Sequence, residues 1–439
     1  MLRGVRETVK PIEPPLLDGL AALSFRLTGH EGLWVPRLLS ALFWVTGGIF
    51  LYRIAARVTG AHGSLVALTL YLVWPYGVWH SRLFMPDATM VAVLLAAALT
   101  VIRYWERRTF RRLWLAGGVS SVAVAIKPGV ALLFLVALFL ALAFAHRRLR
   151  STLTSGAFLL FTALSLATSL AYYAYGAWVT DFISSGASTR RVTPDLLITS
   201  GFWSGWWRMV SYLLPFPQPQ PWLALLPIVA GLAGLVVARP GTPRAIVVGL
   251  ATGYVAFALA FANYTSTHPY YSLALIPVLS LSVGALAGAL VERLRPGRRW
   301  VLPALAALLV VVAGVASYKS AAVLRGPEPT ARIADYRRIG ELTDHTTRAL
   351  VVDEELATPA MYWGWIVGRN WELDYNETLP PWLRRADFDY LVVVGLDQLE
   401  RYPGLRLFAQ GHPVVGAGDD YAVFDLRHPT RSGARSASA

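Results

Sequence analysis

The sequence predicts an all-α polytopic membrane bundle of about ten transmembrane helices, followed by a small extracytoplasmic α/β domain. Three observations lead to this prediction. The chain has 439 residues, of which 55% are hydrophobic and only 15% are charged, whereas soluble domains are typically about 25% charged. Uncharged runs that approach or exceed the roughly 18 residues of a membrane helix recur as far as residue 318. After that point charges become frequent, and apolar runs shrink to strand length.

The composition excludes several classes of protein. Because the chain has no cysteine, it has no disulfide framework, no cysteine-ligated zinc and no thiol catalysis. Lys and Arg (40) outnumber Asp and Glu (26), an excess that in a soluble protein can indicate nucleic-acid binding. Here the basic residues flank apolar runs, and no glycine-rich phosphate loop or HExxH motif occurs. The predicted partner is therefore a lipid bilayer and not a nucleic acid.

The arginines decide the predicted topology. They cluster in five loops, at 53–57, 103–112, 147–150, 239–244 and 293–299. Because cytoplasmic loops carry the excess of positive charge, an even number of spans must separate each pair of these loops. The region around Lys127, which Pro128 and Gly129 interrupt, must then be a hairpin of two short helices with Lys127 at its outer tip. The predicted spans are 36–58, 61–79, 84–103, 112–126, 128–145, 153–176, 222–238, 244–262, 270–291 and 300–318.

Residues 34–318 form the transmembrane domain, and the flanking segments lie on the outer face in this topology. Residues 1–33 include an apolar stretch at helical spacing, 16–27, which fits an amphipathic helix lying in the membrane interface. Residues 319–427 form the α/β domain, with strands expected at 349–353, 389–396 and 421–426. The tail, 428–439, is rich in Ser, Ala and Arg and is expected to be disordered.

Ionisable residues at the outer ends of spans are the main site candidates, because charge at membrane depth is costly and is usually functional. Asp87 follows Pro86 at the start of a span, so it is either a functional carboxylate or a helix N-cap. Lys127 either binds a lipid phosphate or extends its ammonium group to the interface. Arg82, shortly before Asp87, has the same two interpretations.

Aromatic residues and a histidine collect at the same level of the predicted bundle. His268, Tyr270 and Tyr271 belong to the sequence THPYY between two spans, where tyrosines either line a site or form part of the interfacial aromatic belt. Tryptophans at 203, 206 and 207 either stack on a sugar ring or anchor the chain at the interface.

Four segments, taken in order, resemble the polytopic type C glycosyltransferases, which include the dolichyl-phosphate-mannose protein mannosyltransferases and the bacterial aminoarabinose transferases. IEPPLLDG at 12–19 is similar to their double-proline motif, and HSRLFMPD at 80–87 resembles the start of a later span. VAIKPG at 124–129 resembles their short lysine hairpin, and THPYY at 267–271 their late histidine–tyrosine motif. The C-terminal domain is similar to the small soluble domain of many bacterial members. The order of the motifs, more than any single one, carries the resemblance.

The resemblance implies an enzyme of the inner (plasma) membrane that transfers a hexose or pentose from a polyprenyl-phosphate donor to a glycan, lipid or protein acceptor at the outer face. A carboxylate would accept the proton of the acceptor hydroxyl, and a cation would stabilise the leaving phosphate. The implied catalytic residues are Glu13, Asp18 and Asp87, the phosphate-binding residues are Arg82 and Lys127, and the cavity-lining residues are His268, Tyr270 and Tyr271. A divalent metal ion is a further implied cofactor, for which Glu13 and His268 make only an incomplete shell.

The sequence departs from the family pattern at its start. Members usually have a first membrane helix and a first outer loop, which bears the principal catalytic aspartate, before the double proline that here is Pro14-Pro15. Without these segments the chain is expected to be nearly inactive in sugar transfer. Two other classes stay open. One is a transporter or lipid flippase, although no internal repeat is visible, and the other is a non-catalytic member of the glycosyltransferase family.

Overall fold

The computed structural model describes residues 14–179, 192–214, 225–294, 299–325, 330–353, 358–371 and 387–429. The chain divides into two compact units, Met1–Arg325 and Gly326–Ala439, so the boundary falls a few residues after the predicted one. The first unit is helical, and seven of its described helices are long and apolar enough to cross a membrane. The second unit contains a small sheet with helices. The predicted fold class is therefore confirmed.

Each of the ten predicted spans coincides with helical structure. The helices of the first unit are α1 (Leu16–Thr28), α2 (Trp34–Val58), α3 (Gly60–Val73), α4 (Pro75–His80), α5 (Pro86–Glu106), α6 (Phe110–Ile126), α7 (Pro128–Ala145), α8 (Leu149–Leu153), α9 (Gly156–Val179), α10 (Ser200–Leu213), α11 (Leu225–Val237), α12 (Thr242–Ala260), α13 (Ala262–Thr267), α14 (Leu275–Leu294) and α15 (Val301–Leu324). Short 3-10 turns cover Pro194–Ile198 and Pro269–Ser272. The predicted span 61–79 is divided between α3 and α4.

Prolines set the positions at which these helices break. A residue before proline is pushed out of the helical region by the proline ring, and both Trp74 (φ −59°, ψ 116°) and Lys127 (φ −146°, ψ 90°) have non-helical backbones. Pro75 and Pro128 then begin the next helix, where the missing proline N–H removes no intrahelical hydrogen bond. Lys127 is consequently the single residue that joins α6 to α7.

Side-chain contacts show the directions of α5, α6 and α7. The first turn of α5 meets Lys127 through Asp87, and its last turn meets the residue after α7, since the rings of Trp105 and His146 stack with centroids 5.3 Å apart. Thus α5 and α7 run in the same direction, and α6 returns between them. The α6–α7 pair is a helical hairpin with Lys127 at its tip, as the arginine positions predict.

The five arginine-rich loops lie at the opposite end of this bundle from Lys127. Arg57 Nε lies 2.6 Å from Glu106 Oε1, which links the first loop to the second. The third and fourth loops meet through His146 Nε2 and Thr242 Oγ1, which are 3.4 Å apart. Arg239 pairs with Glu292 and so links the fourth loop to the fifth. We call this the arginine end, and we call the end that contains Asp87 and Lys127 the site end.

The last helix of the first unit ends near the site end. Lys319, close to the end of α15, lines one cavity together with Trp74 and Pro75 from the α3–α4 break. Because Pro75 begins α4, which ends at His80, α15 runs from the arginine end to the site end.

The second unit is a five-stranded sheet in the order β2-β1-β3-β5-β4. Its elements are α16 (Thr330–Leu342), β1 (Ala349–Val352), α17 (Thr358–Gly364), β2 (Gly368–Asn370), β3 (Tyr390–Val394), α18 (Asp397–Arg401), α19 (Pro403–Gln410), β4 (Val414–Ala417) and β5 (Tyr421–Asp425). β1 pairs in parallel with β2 and β3, whereas β5 is antiparallel to β3 and β4. The three predicted strands are β1, β3 and β5, each buried along its length. The edge strands β2 and β4 were not predicted. β2 (GRN) has no apolar run, and β4 (VVGA) is a short stretch that contains a glycine and is largely exposed. Most of the predicted disordered tail lies outside the described residues.

Candidate active site

Asp87 and Lys127 form a buried ion pair at the site end. Asp87 is in the first turn of α5 behind Pro86, and its side chain is fully buried. Lys127 is only 5% exposed, and its ammonium group donates a hydrogen bond to Asp87 Oδ1. Neither alternative to a site role holds fully. The Asp87 side chain makes no N-cap hydrogen bond within the described residues, and the Lys127 side chain is buried against Asp87 and not exposed.

Two tyrosine rings complete the surroundings of the lysine. The 3-10 turn Pro269–Ser272 directs Tyr270 and Tyr271 towards the hairpin tip, so that Lys127 Nζ lies 5.2 Å and 4.6 Å from their ring centroids. These distances are within the range of cation–π attraction. The lysine is therefore held by a carboxylate on one side and by aromatic faces on the other.

His80 belongs to the same cluster. The sequence places it among the ionisable residues of the outer face, but the predicted site gives it no role. It is 1% exposed, and its Nε2 lies 3.7 Å from Asp87 Oδ2. Its ring stacks between Tyr76 and Tyr270, with centroids 5.6 Å and 6.2 Å away. The available signal was its position at the start of the HSRLFMPD segment, since a short turn can bring it back onto Asp87.

The remaining predicted residues lie at different distances from this cluster. His268 is exposed and contacts the cluster through the rings of Tyr270 and Tyr271, with centroids 5.3 Å and 6.0 Å away. The side chains of Asp18 and Arg82 are exposed, and neither forms a hydrogen bond or ion pair with another described residue. The structure thus does not bring Arg82 to Asp87. Glu13 lies outside the described residues.

The divalent metal ion that the resemblance implies stays a prediction. No group of three or more His, Asp or Glu residues is close enough to hold a metal ion in the part of the chain that the structure describes. Of the two candidate ligands, His268 hydrogen-bonds to Thr267 Oγ1 at 2.8 Å, and Glu13 is not described. Lys127 is the cationic side chain that pairs with Asp87 in the described structure.

An apolar cavity of about 620 Å³ opens beside the site, between α10, α11, α12 and α14. Trp203, Trp206 and Trp207 all line it, and its described lining includes no charged side chain. Trp206 Nε1 donates to Tyr254 Oη at 3.1 Å, and Tyr254 donates to Ser272 Oγ at 2.9 Å. This chain of hydrogen bonds connects the cavity wall to the turn that carries the two tyrosines. An apolar lining of this size suits a hydrocarbon chain better than a sugar.

The chain is similar to a known protein family in part of its sequence and to solved structures in its fold. Residues 12–173 match the family described as dolichyl-phosphate-mannose-protein mannosyltransferase. The fold is similar to the crystal structure of ArnT from Cupriavidus metallidurans bound to undecaprenyl phosphate, with a TM-score of 0.62 and 15% sequence identity over 94% of this chain and 87% of that chain. The apo structure of that ArnT gives a TM-score of 0.62 and 14% identity over the same shares. No curated protein sequence matches the chain.

The matched segment contains three of the four sequence motifs, namely the double proline, the span that begins at Asp87 and the Lys127 hairpin. The histidine–tyrosine motif and the C-terminal domain lie beyond it, and for these the shared fold is the comparison available. The family match over residues 12–173 and the shared fold agree with the resemblance to the polytopic type C glycosyltransferases that the motifs carry.

Proposed function

We propose that the chain is a membrane glycosyltransferase that transfers a sugar from a polyprenyl-phosphate donor to an acceptor at the outer face of the cytoplasmic membrane. The family match and the ArnT fold support the enzyme class, and the neighbouring ArnT structure is described as bound to undecaprenyl phosphate. The observation that carries the proposal is the buried Lys127 beside an uncharged cavity. A phosphate and an isoprenoid chain, joined in one molecule, need these two environments side by side.

The chemistry requires three events. The acceptor oxygen bonds to C1 of the sugar, the bond between C1 and the phosphate oxygen breaks with its electrons left on the phosphate, and the acceptor hydroxyl loses its proton to a base. Lys127 would donate hydrogen bonds to the phosphate as its negative charge grows, and Asp87 holds the ammonium group in position. Because Asp87 is engaged by Lys127, we assign the role of base to Glu13 or Asp18 in the N-terminal segment.

The proposed orientation follows from the two ends of the bundle. If the arginine end faces the cytoplasm, Asp87 and Lys127 face the outer side, and the C-terminal domain follows α15 on that side. The acceptor would then be a glycan, lipid or protein that is exposed outside the cytoplasm.

The direct test is an assay with a radiolabelled polyprenyl-phosphate sugar in proteoliposomes. Relative to the low transfer rate expected of the wild-type chain, Lys127→Met should reduce transfer by about 100-fold or more, whereas Lys319→Met, which removes another lysine near the site end, should retain the wild-type rate. The proposal would be contradicted if Lys127→Met released or transferred the labelled sugar at the same rate as the wild type. Movement of intact donor across the membrane, without cleavage of the sugar–phosphate bond, would instead identify a flippase.

A further inference from the structure

His80 is a buried histidine whose hydrogen-bonding capacity is unused. Neither Nδ1 nor Nε2 has a hydrogen-bond partner among the described residues, although both atoms are inaccessible to solvent. Buried polar atoms in native structures nearly always have partners, so an unpartnered pair on one ring calls for an explanation. One of these two nitrogens, Nε2, faces the carboxylate of Asp87.

Asp87 offers that explanation, because its two oxygens have different environments. Oδ1 accepts a hydrogen bond from Lys127, whereas Oδ2 has no hydrogen-bond partner among the described residues and faces His80 Nε2 at 3.7 Å. That separation is too long for a hydrogen bond but short enough for strong attraction to a charged imidazolium. Asp87 thus lies between Lys127, which pairs with Oδ1, and His80, which would become a second cation beside Oδ2 by accepting one proton.

Binding of a phosphate would change this balance. Lys127 cannot fully neutralise both a phosphate and Asp87, and a buried carboxylate deprived of its cation is strongly destabilised. The imidazole of His80 can accept one proton, which would restore a positive charge beside Asp87.

We propose that His80 takes up a proton when a lipid phosphate binds and then replaces Lys127 as the partner of Asp87. The proposal rests on the proposed role of Lys127 as the phosphate-binding residue. His80 is accordingly a positioning residue, which acts on the phosphate through Asp87 and Lys127. Donor affinity becomes coupled to pH through a residue that does not touch the donor.

The groups that surround His80 are compatible with this role. Tyr76 and Trp79 face its ring from α4, and Tyr270 faces it from the 3-10 turn. Lys127 lies on the far side of Asp87, and the exposed His268 is separated from His80 by Tyr270. Tyrosine faces stabilise a cation, and Asp87 is the acidic side chain within reach of the ring in the described structure.

The test measures protons directly and uses a ligand that does not titrate. The methyl diester of undecaprenyl phosphate carries a single fixed negative charge, so any proton taken up on binding enters the protein. Isothermal titration of the full chain in nanodiscs, in two buffers of different ionisation enthalpy, gives the number of protons at each pH between roughly 5.5 and 8.5, a range around the ordinary histidine pKa of about 6.5. We expect uptake that approaches one proton, and an affinity that falls by up to about tenfold per pH unit as the pH rises through this window.

Two variants assign the proton. His80→Gln should bind the diester without proton uptake and with an affinity that is nearly independent of pH, whereas His62→Gln, at the arginine end, should behave as wild type. Asp87→Asn leaves His80 in place and should also abolish the uptake, which provides a second test if His80→Gln does not fold. Binding by wild type without proton uptake at any pH, or unchanged uptake in either folded variant, would overturn the proposal. A wild-type protein that does not bind the diester at all would instead contradict the proposed function.

Discussion

A single lysine can hold a charge inside an apolar bundle only if its surroundings compensate for lost water. Removing an ion pair from water costs several kcal/mol per charge, so such a pair contributes little net stability. Lys127 has three N–H donors, of which one is directed to Asp87, while two aromatic faces lie near the ammonium group. The proposed binding of a phosphate by Lys127 therefore explains the buried pair better than a contribution to folding stability does.

This interpretation predicts different effects on folding and on activity. Lys127→Met should destabilise the protein by about 3–5 kcal/mol, because Asp87 remains buried without its cation. The double variant Asp87→Leu/Lys127→Met should recover most of that loss, yet both variants should be inactive in sugar transfer. Thermal unfolding in detergent and the transfer assay measure the two effects. A double variant as unstable as the single one would show that the pair itself stabilises the fold.

A second prediction at the residue scale concerns the C-terminal domain. Arg427 donates to both oxygens of Asp425, at 2.9 Å and 2.8 Å, and with His428 it holds the pKa of Asp425 well below its usual range. Since the folded-state pKa is lower than the unfolded value of about 3.9, the contact stabilises the domain above about pH 4, and the stabilisation is lost as the pH falls towards the folded-state pKa. Asp425→Asn should therefore speed hydrogen exchange in β5 at pH 7.

The same measurement provides the control for this prediction. Asp397→Asn, in an exposed pair with Arg401, should leave exchange in β5 unchanged, because exposed pairs contribute little. The difference between wild type and Asp425→Asn should shrink as the pH falls below about 4. A difference that persists undiminished would mean that the carboxylate charge is not the cause.

Pairs of helices in this bundle approach closely where glycines meet. The carbonyl oxygen of Gly284 on α14 accepts a hydrogen bond from Thr59 Oγ1 at 3.0 Å. A methyl group added to Gly284 would lie 2.6 Å from the carbonyl oxygen of Gly63 on α3. Gly288, four positions further along α14, meets Thr59 as well. This small-residue contact lets two backbones pack directly, as is common between membrane helices.

The glycine contact predicts a position-dependent cost for the same substitution. Gly284→Ala should destabilise the protein by about 1–3 kcal/mol, because the rigid backbone of α3 blocks the added methyl group. Gly314→Ala on α15 should be neutral or slightly stabilising, since an added methyl group there has no neighbour within 4 Å among the described residues and alanine favours helix. Thermal unfolding of the two variants in the same detergent is the measurement. Equal effects would show that the α3–α14 approach can relax.

At the scale of the whole molecule, charge separates the two ends of the bundle. All five arginine-rich loops lie at one end, whereas Asp87, Lys127 and the end of α15 lie at the other. A reporter that is active only in the cytoplasm should therefore be silent when fused after Arg427 and active when fused after Arg150. Activity after Arg427 would reverse the orientation and place the proposed site on the cytoplasmic side.

The spans and the hairpin were predictable from the sequence because the relevant physics is local. The thickness of the bilayer sets the length of an apolar run, arginines mark loops of one side, and Pro128 forces a break at Lys127. The strands β1, β3 and β5 were predictable for the same reason, since each is a continuous apolar run bounded by polar residues. Edge strand β2 lacks such a run and pairs with β1, from which α17 separates it in the chain, whereas β4 is short and largely exposed although it pairs with the adjacent β5.

The sequence by itself thus determined the membrane class, the hairpin and the residues that are costly to place at membrane depth. The count of ten spans stays a prediction, since seven of the described helices are long and apolar enough to cross a membrane. Only the tertiary structure decided which of those residues meet. Asp87 and Lys127 are 40 positions apart and pair because α5 and α7 run side by side, whereas Arg82, much nearer to Asp87 in sequence, is exposed. His80 enters the site because a turn returns it to α5, and Tyr270 closes the site from a distant turn. A side chain at a helix end is aimed by the packing of the helices around it, and the periodicity of its own segment does not contain that information.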